Sequence, residues 1–166
     1  MENTTDYWIQ RLGLTPHPEG GYFNQTYCSP ESLPAACLPA RYTTERVFAK
    51  GIYFLLPGNQ VSKFHRLKCE EIWCHHVGAA LTISMIHQNG TRQQLQLGPN
   101  PEAGEHLHVI IPPGVWFGAQ VKHQDAFALV TCITIPGFEF ADFELAERES
   151  LLRDYPQHRQ LIEILT

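Results

Sequence analysis

No stretch of the chain approaches the ~20 consecutive apolar residues that a membrane-spanning helix needs. The opening segment, MENTTDYWIQRLG, has neither a basic leader nor an apolar run of signal-peptide length. Together these absences give the expectation of a soluble, cytoplasmic protein with no membrane partner. Basic clusters are missing too. Twelve Lys and Arg residues are scattered singly against seventeen Asp and Glu, for a net charge of -5. Without a basic stripe nothing can neutralise a phosphate backbone, which argues against a nucleic-acid partner. The five cysteines (Cys28, Cys37, Cys69, Cys74 and Cys132) form an odd set with no Cys-x-x-Cys pair. A disulfide framework is therefore not expected, and reduced thiols are the simpler reading. Cys69 and Cys74 are an odd number of residues apart, so on a continuous strand they point to opposite faces and cannot share a zinc ion. The chain also lacks internal repeats and low-complexity linkers. Its 166 residues, 43% of them hydrophobic, suit one domain spanning 1–166 with a single sizeable core.

What is present reads mainly as short β-runs. The start predicts a helix: Thr5 or Asp6 can cap it, Trp8, Ile9 and Leu12 have helical apolar spacing, and Gly13 can stop it. TPHPEGG then forbids regular structure, GYFNQTYCS suits a strand, and SPESLPAACLPA, with its prolines, reads as a surface loop. From Arg41 to Phe140 short β-prone runs such as VSKFHRL, EEIWCHHV and AFALVTCITI alternate with Pro-Gly, Asn-Gly and Gly-Pro turns. That rhythm signals an all-β antiparallel sandwich or barrel. Helical patterning returns in LAERESLLRDY and PQHRQLIEIL, where Leu161, Ile162 and Leu165 can dock on the body.

The chemistry concentrates around FHRLKCEEIW. On a regular strand Val61, Lys63, His65 and Leu67 share one face; on the next, Glu71, Trp73 and His75 share one face, and Ile72, Cys74 and His76 the other. His65, Glu71 and His75 can then converge inside a barrel. A residue four positions beyond Glu71 nevertheless lies roughly 13 Å along the strand, which puts His75 too far away to share one metal unless the strand bends.

GNQVSKFHRLKCEEIWCHHVG resembles the first cupin motif, with Gly58, His65, Glu71 and Gly78 at its places and one extra residue between Gly58 and His65. GEHLHVIIPPGVWFGA resembles the second, through Gly104, Pro112 and Gly114. HPEGGYF and PGFEFADFELA are similar to the single-domain branch called Cupin-5. The resemblance covers nearly the whole chain. It implies a double-stranded β-helix, a cupin jelly-roll barrel with short N- and C-terminal helices, commonly paired as a homodimer.

The same resemblance marks departures. Typical metal cupins use two histidines and a glutamate from the first motif and a third histidine from the second; here Leu67 and Phe117 stand at two of the histidine places. His65 and Glu71 remain, and two ligands seldom hold a catalytic metal, so no cofactor is expected. Asn24, Gln25 and Cys28 stand where the branch has Arg, Glu and Arg. The resemblance therefore points to metal-independent acid/base chemistry of an isomerase or epimerase kind on a sugar-like or other polar ring compound. His65 would be the base and Glu71 its orienting group or a second proton carrier, with Tyr22 and His75 as further candidates. Phe54, Trp73, Met85, Trp116 and Phe117 would wall a small-molecule pocket, and Glu19 beside Gly20 and Gly21 would approach the ligand. Three alternatives stand beside this reading: a structural His65–Glu71 pair that fixes register, a metal-dependent oxygenase with an unusual third ligand, and a non-catalytic ligand-binding barrel.

Overall fold

The structure, a computed structural model, describes residues 4–166. Helix α1 (Thr5–Leu12) precedes fourteen strands. In chain order these are β1 (Thr15–Pro16), β2 (Tyr22–Cys28), β3 (Ser32–Leu33), β4 (Arg46–Val47), β5 (Lys50–Pro57), β6 (Val61–Leu67) and β7 (Glu70–Gly78). They continue as β8 (Leu81–Ile86), β9 (Arg92–Leu97), β10 (Glu105–His106), β11 (His108–Ile111), β12 (Trp116–Val121), β13 (Phe127–Ile135) and β14 (Phe143–Leu145). Helices α2 (Arg148–Asp154) and α3 (Arg159–Ile164) close the chain.

Two six-stranded sheets, ordered β1-β2-β5-β13-β7-β11 and β10-β9-β8-β12-β6-β14, enclose the main core, while β3 and β4 form a separate ribbon. Alternation along the strands explains why. Phe54 and Leu56 of β5, Ile83 and Met85 of β8, Ala119 of β12 and Val130 of β13 all join one buried apolar cluster. Each large side chain placed there contributes on the order of 2 kcal/mol. The outward-facing apolar residues are covered by helices. Trp8, Ile9 and Leu12 of α1 pack on Leu55 and Leu129, and Leu151, Leu161 and Ile162 of the last two helices, with Leu165 just beyond α3, cover Phe64, Ile86 and Trp116. None of the described helices is long and apolar enough to cross a membrane.

Several local expectations are corrected. The cap of α1 is Thr4, whose side chain accepts the Tyr7 N–H, rather than Thr5 or Asp6; Gly13 ends the helix at φ 60° as expected. β6 is not a regular strand. β12 pairs Phe117 with His65 and Ala119 with Ser62, so Lys63 and Phe64 together oppose Gly118. This bulge moves Phe64 to the outer face and puts Ser62, rather than Lys63, inward with His65. HLHVIIP does not run as one strand either: β10 pairs with β9 in one sheet, and β11 pairs with β7 in the other.

Candidate functional site

The segment HPEGGYF decides what the barrel holds. Gly20 sits at φ 111°, and a Cβ there would lie 2.1 Å from the Val61 carbonyl oxygen. Gly21 sits at φ 71°, and its Cβ would lie 2.7 Å from the Leu55 carbonyl oxygen. Only glycine permits this turn to press against β5 and β6. The pair thus serves a close backbone packing that drives Glu19 into the barrel. The Lys63 N–H donates to the Glu19 carbonyl at 2.9 Å, which fixes the turn to the bulged strand.

Glu19 is then held by three side chains. Ser62 Oγ donates to its Oε1 at 2.7 Å. His65 Nε2 lies 3.2 Å and His17 Nδ1 3.4 Å from its Oε2. The other ring nitrogen of His65, Nδ1, is 2.7 Å from the Lys63 carbonyl. A carbonyl can only accept, so Nδ1 carries a proton, and the neutral His65 ring therefore presents its lone pair at Nε2 to Glu19. One proton between Glu19 and His65 satisfies both. Burial pushes the Glu19 carboxyl up to about 7, with His17 and the Ser62 hydroxyl pulling back. It pushes His65 down, opposed by the Glu71 charge and the Lys63 carbonyl. His17 is lowered by the same cause. Such opposed shifts narrow the gap between acid and base and make proton exchange between them cheap.

Glu71 enters from β7, opposite Ile111 on one side and Thr134 on the other. Its carboxyl is also pushed up to about 7, first by burial, with the His65 charge pulling down, the Glu19 charge pushing up and the nearby Trp73 indole N–H pulling down. Its Oε2 and the neighbouring Trp73 Nε1–H are buried without a hydrogen-bond partner. Both line a cavity of about 150 Å³ that also takes in Glu19, His65 and His17. Phe23, Phe54, Phe138 and Phe143 form its walls. The Thr134 hydroxyl accepts the Phe138 N–H at 2.9 Å, pinning the PGFEF turn that supplies one wall. At the rim Lys50 Nζ sits 2.7 Å from Glu139 Oε1.

Of the residues singled out from the sequence, His65, Glu71, Glu19, Phe54 and Trp73 meet in this cavity. The remainder do not line it. Tyr22 lies on the outer face of its sheet, in the cluster covered by α1. His75 keeps the register of Glu71 and Trp73 opposite β13, pairing with Val130 just before a bulge at His76, but it stands four residues, roughly 13 Å, along β7 from Glu71, and its Nε2 rests 3.3 Å from the Ala79 carbonyl. Met85 is packed in the core away from the opening. Trp116 belongs to the cluster under the C-terminal helices, with Arg66 stacked over it at 4.4 Å. Phe117 stacks on His65 with ring centroids 4.1 Å apart and supports the imidazole instead of touching the cavity. His65 forms its ion pair with Glu19, where Glu71 was the expected partner. Sequence reasoning missed His17, whose signal was its place two residues before Glu19 in HPEGGYF. It also missed Phe138 and Phe143, which lie within PGFEFADFELA.

Two facing, mainly antiparallel sheets with a polar cluster in a cavity between them define a cupin barrel. More narrowly, the chain belongs to the Cupin_5 family, described as Cupin superfamily (DUF985), whose model matches residues 6–146. Protein SO0799 from Shewanella oneidensis is 40% identical over 98% of this chain and 97% of its own, with a TM-score of 0.88. A hypothetical protein from Leishmania major is 32% identical over 99% of both chains, with a TM-score of 0.91. Protein YML079W of Saccharomyces cerevisiae is 26% identical over 149 residues, 84% of this chain and 74% of its own. Oxalate decarboxylase from Bacillus subtilis, 13% identical with a TM-score of 0.54 over 36% of its chain, shares the fold.

The superfamily implies a metal, and the residues present do not fit one. Among the described residues no group of three or more His, Cys, Asp and Glu side chains converges as a metal cage. Leu67 lines the cavity and Phe117 covers the His65 ring where further histidine donors would be needed. Neither side chain offers a donor atom.

Proposed function

We propose that the protein is a small-molecule-binding cupin that moves protons without a metal, in the manner of an isomerase or epimerase, on a small polar ring compound. The observation that carries this reading is the Glu19–His65 pair, two groups sharing one proton beside a second carboxyl, Glu71, at the base of a mostly apolar cavity. In the cycle, the unprotonated partner of the Glu19–His65 pair takes a proton from the substrate. Glu71, kept protonated toward neutral pH by burial, returns one at a neighbouring atom. His17 and Ser62 position Glu19; Phe117 and the Lys63 carbonyl hold the His65 ring.

Deuterium incorporation tests this directly. Candidate ring compounds are incubated with the protein in heavy water containing a chelator and followed by NMR. The expected result is solvent deuterium at one substrate carbon, abolished by His65→Gln. Incorporation that depends on added metal, or none with any candidate that binds, overturns it. Saturable binding without exchange would support the non-catalytic barrel, the reading favoured by the loss of donors at Leu67 and Phe117. Pairing as a homodimer belongs to the same proposal, with Leu107, just before β11, and Ile110 within it, both more than half exposed, offering an apolar edge for a second copy. Sedimentation equilibrium checks it: a mass near 18.9 kDa would rule the pair out.

A further inference from the structure

We infer that the cavity takes a neutral single ring with an apolar body and one hydroxyl or carbonyl edge, seated between Trp73 Nε1–H and Glu71 Oε2. This deepens the small-molecule reading of the same cavity and rests on it.

Size comes first. A dry cavity of about 150 Å³ holds one six-membered aromatic ring, and the cavity here has about 150 Å³. Larger ligands would have to extend past the rim. The walls come second. Phe23, Phe54, Ile52, Phe138 and Phe143 present no hydrogen-bonding side-chain atom to a bound ring. A polyhydroxylated ring would leave several hydroxyls without partners against them, each costing roughly 5- to 150-fold in affinity. Charge is the third constraint. Lys50 is the one Lys or Arg side chain among the lining residues, and it is engaged by Glu139 at the rim. Glu19 and Glu71 both stand inside, and the His17 and His65 rings are both turned onto Glu19 and held toward the neutral form by burial, so an anionic group would meet two carboxyls and no free cation.

The remaining question is what satisfies the base of the cavity. Glu71 is 7% and Trp73 1% exposed; Glu71 Oε2 and Trp73 Nε1 have no partner within full hydrogen-bonding geometry, though the indole N–H acts on the carboxyl closely enough to favour its charged form. They are one acceptor and one donor on neighbouring inward positions of β7. A single hydroxyl answers both, accepting from the indole N–H and donating to the carboxylate oxygen. A carbonyl answers both when Glu71 carries its proton.

The test uses the full chain and four probes: para-fluorophenol, fluorobenzene, para-fluorobenzoate and glucose. Fluorine NMR reads binding of the first three, and competition against para-fluorophenol reads glucose. The Trp73 indole N–H resonance, assigned by its loss in Trp73→Phe, reports contact. Expected are saturable binding of para-fluorophenol that moves that resonance, about tenfold weaker binding of fluorobenzene, and no binding of para-fluorobenzoate or glucose at matched concentration. Glu71→Met should narrow the gap between the two neutral aromatics, because only the hydrogen bond to the indole N–H then remains. Comparable or tighter binding of para-fluorobenzoate or glucose, no binding of para-fluorophenol, or binding that leaves the Trp73 indole unmoved overturns the inference. Should Glu71→Met fail to fold, the wild-type ranking and the indole shift still decide. The two readings fail separately: para-fluorophenol binding with no deuterium exchange on any ring ketone or alcohol sinks only the catalytic reading. Exchange into a sugar with no para-fluorophenol binding sinks only this one.

Discussion

Replacing Glu71 by Gln should stabilise the protein at alkaline pH while leaving it nearly unchanged at acid pH. The carboxyl is raised from 4.5 to about 7 because folding buries it. In the unfolded chain the group loses its proton near pH 4.5; in the folded protein it keeps it to about pH 7. Between these values the folded state binds more protons, so stability falls as pH rises. The contribution of this proton is fully present below pH 4.5 and is lost as pH passes about 7. At about 1.4 kcal/mol per pH unit the difference amounts to about 3 kcal/mol. Gln has nearly the same shape and no charge to bury, so the variant escapes that loss. Glu19 titrates in both proteins and largely cancels in the comparison. Urea unfolding of wild type and Glu71→Gln at pH values below and above this window is the assay, with the variant ahead by about 3 kcal/mol only on the alkaline side. For a domain of this size that corresponds to roughly 10 °C in Tm. Destabilisation of the variant confined to the alkaline side would refute the reasoning, because it would mean that Glu71 is ionised in the folded protein and serves a structural charge pair. A stabilised variant without activity would instead mark a carboxyl kept at the expense of stability, as expected of an acid/base group.

Other expectations follow from the same geometry. His65→Gln should abolish proton exchange while changing stability by no more than about 1–2 kcal/mol, because side-chain volume is retained under Phe117; exchange rates and calorimetry on one preparation separate the two effects. Ser62→Ala removes the hydrogen bond to Glu19 Oε1, costs about 1 kcal/mol, and moves the Glu19 carboxyl further up, since that bond favours the charged form. The acid limb of a rate–pH profile should shift to higher pH, and an unmoved limb would take Glu19 out of the titrating pair. Arg46→Ala strands Asp142, whose carboxylate accepts two guanidinium hydrogen bonds at 2.6 and 2.7 Å in the interior. A loss of about 3–5 kcal/mol in urea unfolding is expected, and under 1 kcal/mol would mean that Lys68 or water replaces the arginine.

The barrel and its ends were legible in the residues themselves. Period-two alternation with Gly and Pro punctuation marks the strands, because a strand with one buried face must repeat that way. α1 is similarly marked by its apolar spacing and its Gly13 stop. His65, Glu71 and Trp73 could be placed inward from that alternation alone. What it could not supply was anything that breaks the period. The bulge at Lys63 and Phe64 exchanges which neighbours of His65 face inward, and it depends on pairing with a distant strand. The partner of His65 is the clearest case. Glu19 lies 46 positions earlier in a turn with no strand pattern, and only the packing of Gly20 and Gly21 against β5 and β6 brings its carboxyl to the imidazole. Local sequence determines which face a side chain takes along its own strand. The tertiary structure decides which two faces meet, because that rests on contacts between segments far apart in the chain, and here it sets Glu19 against the His65 ring.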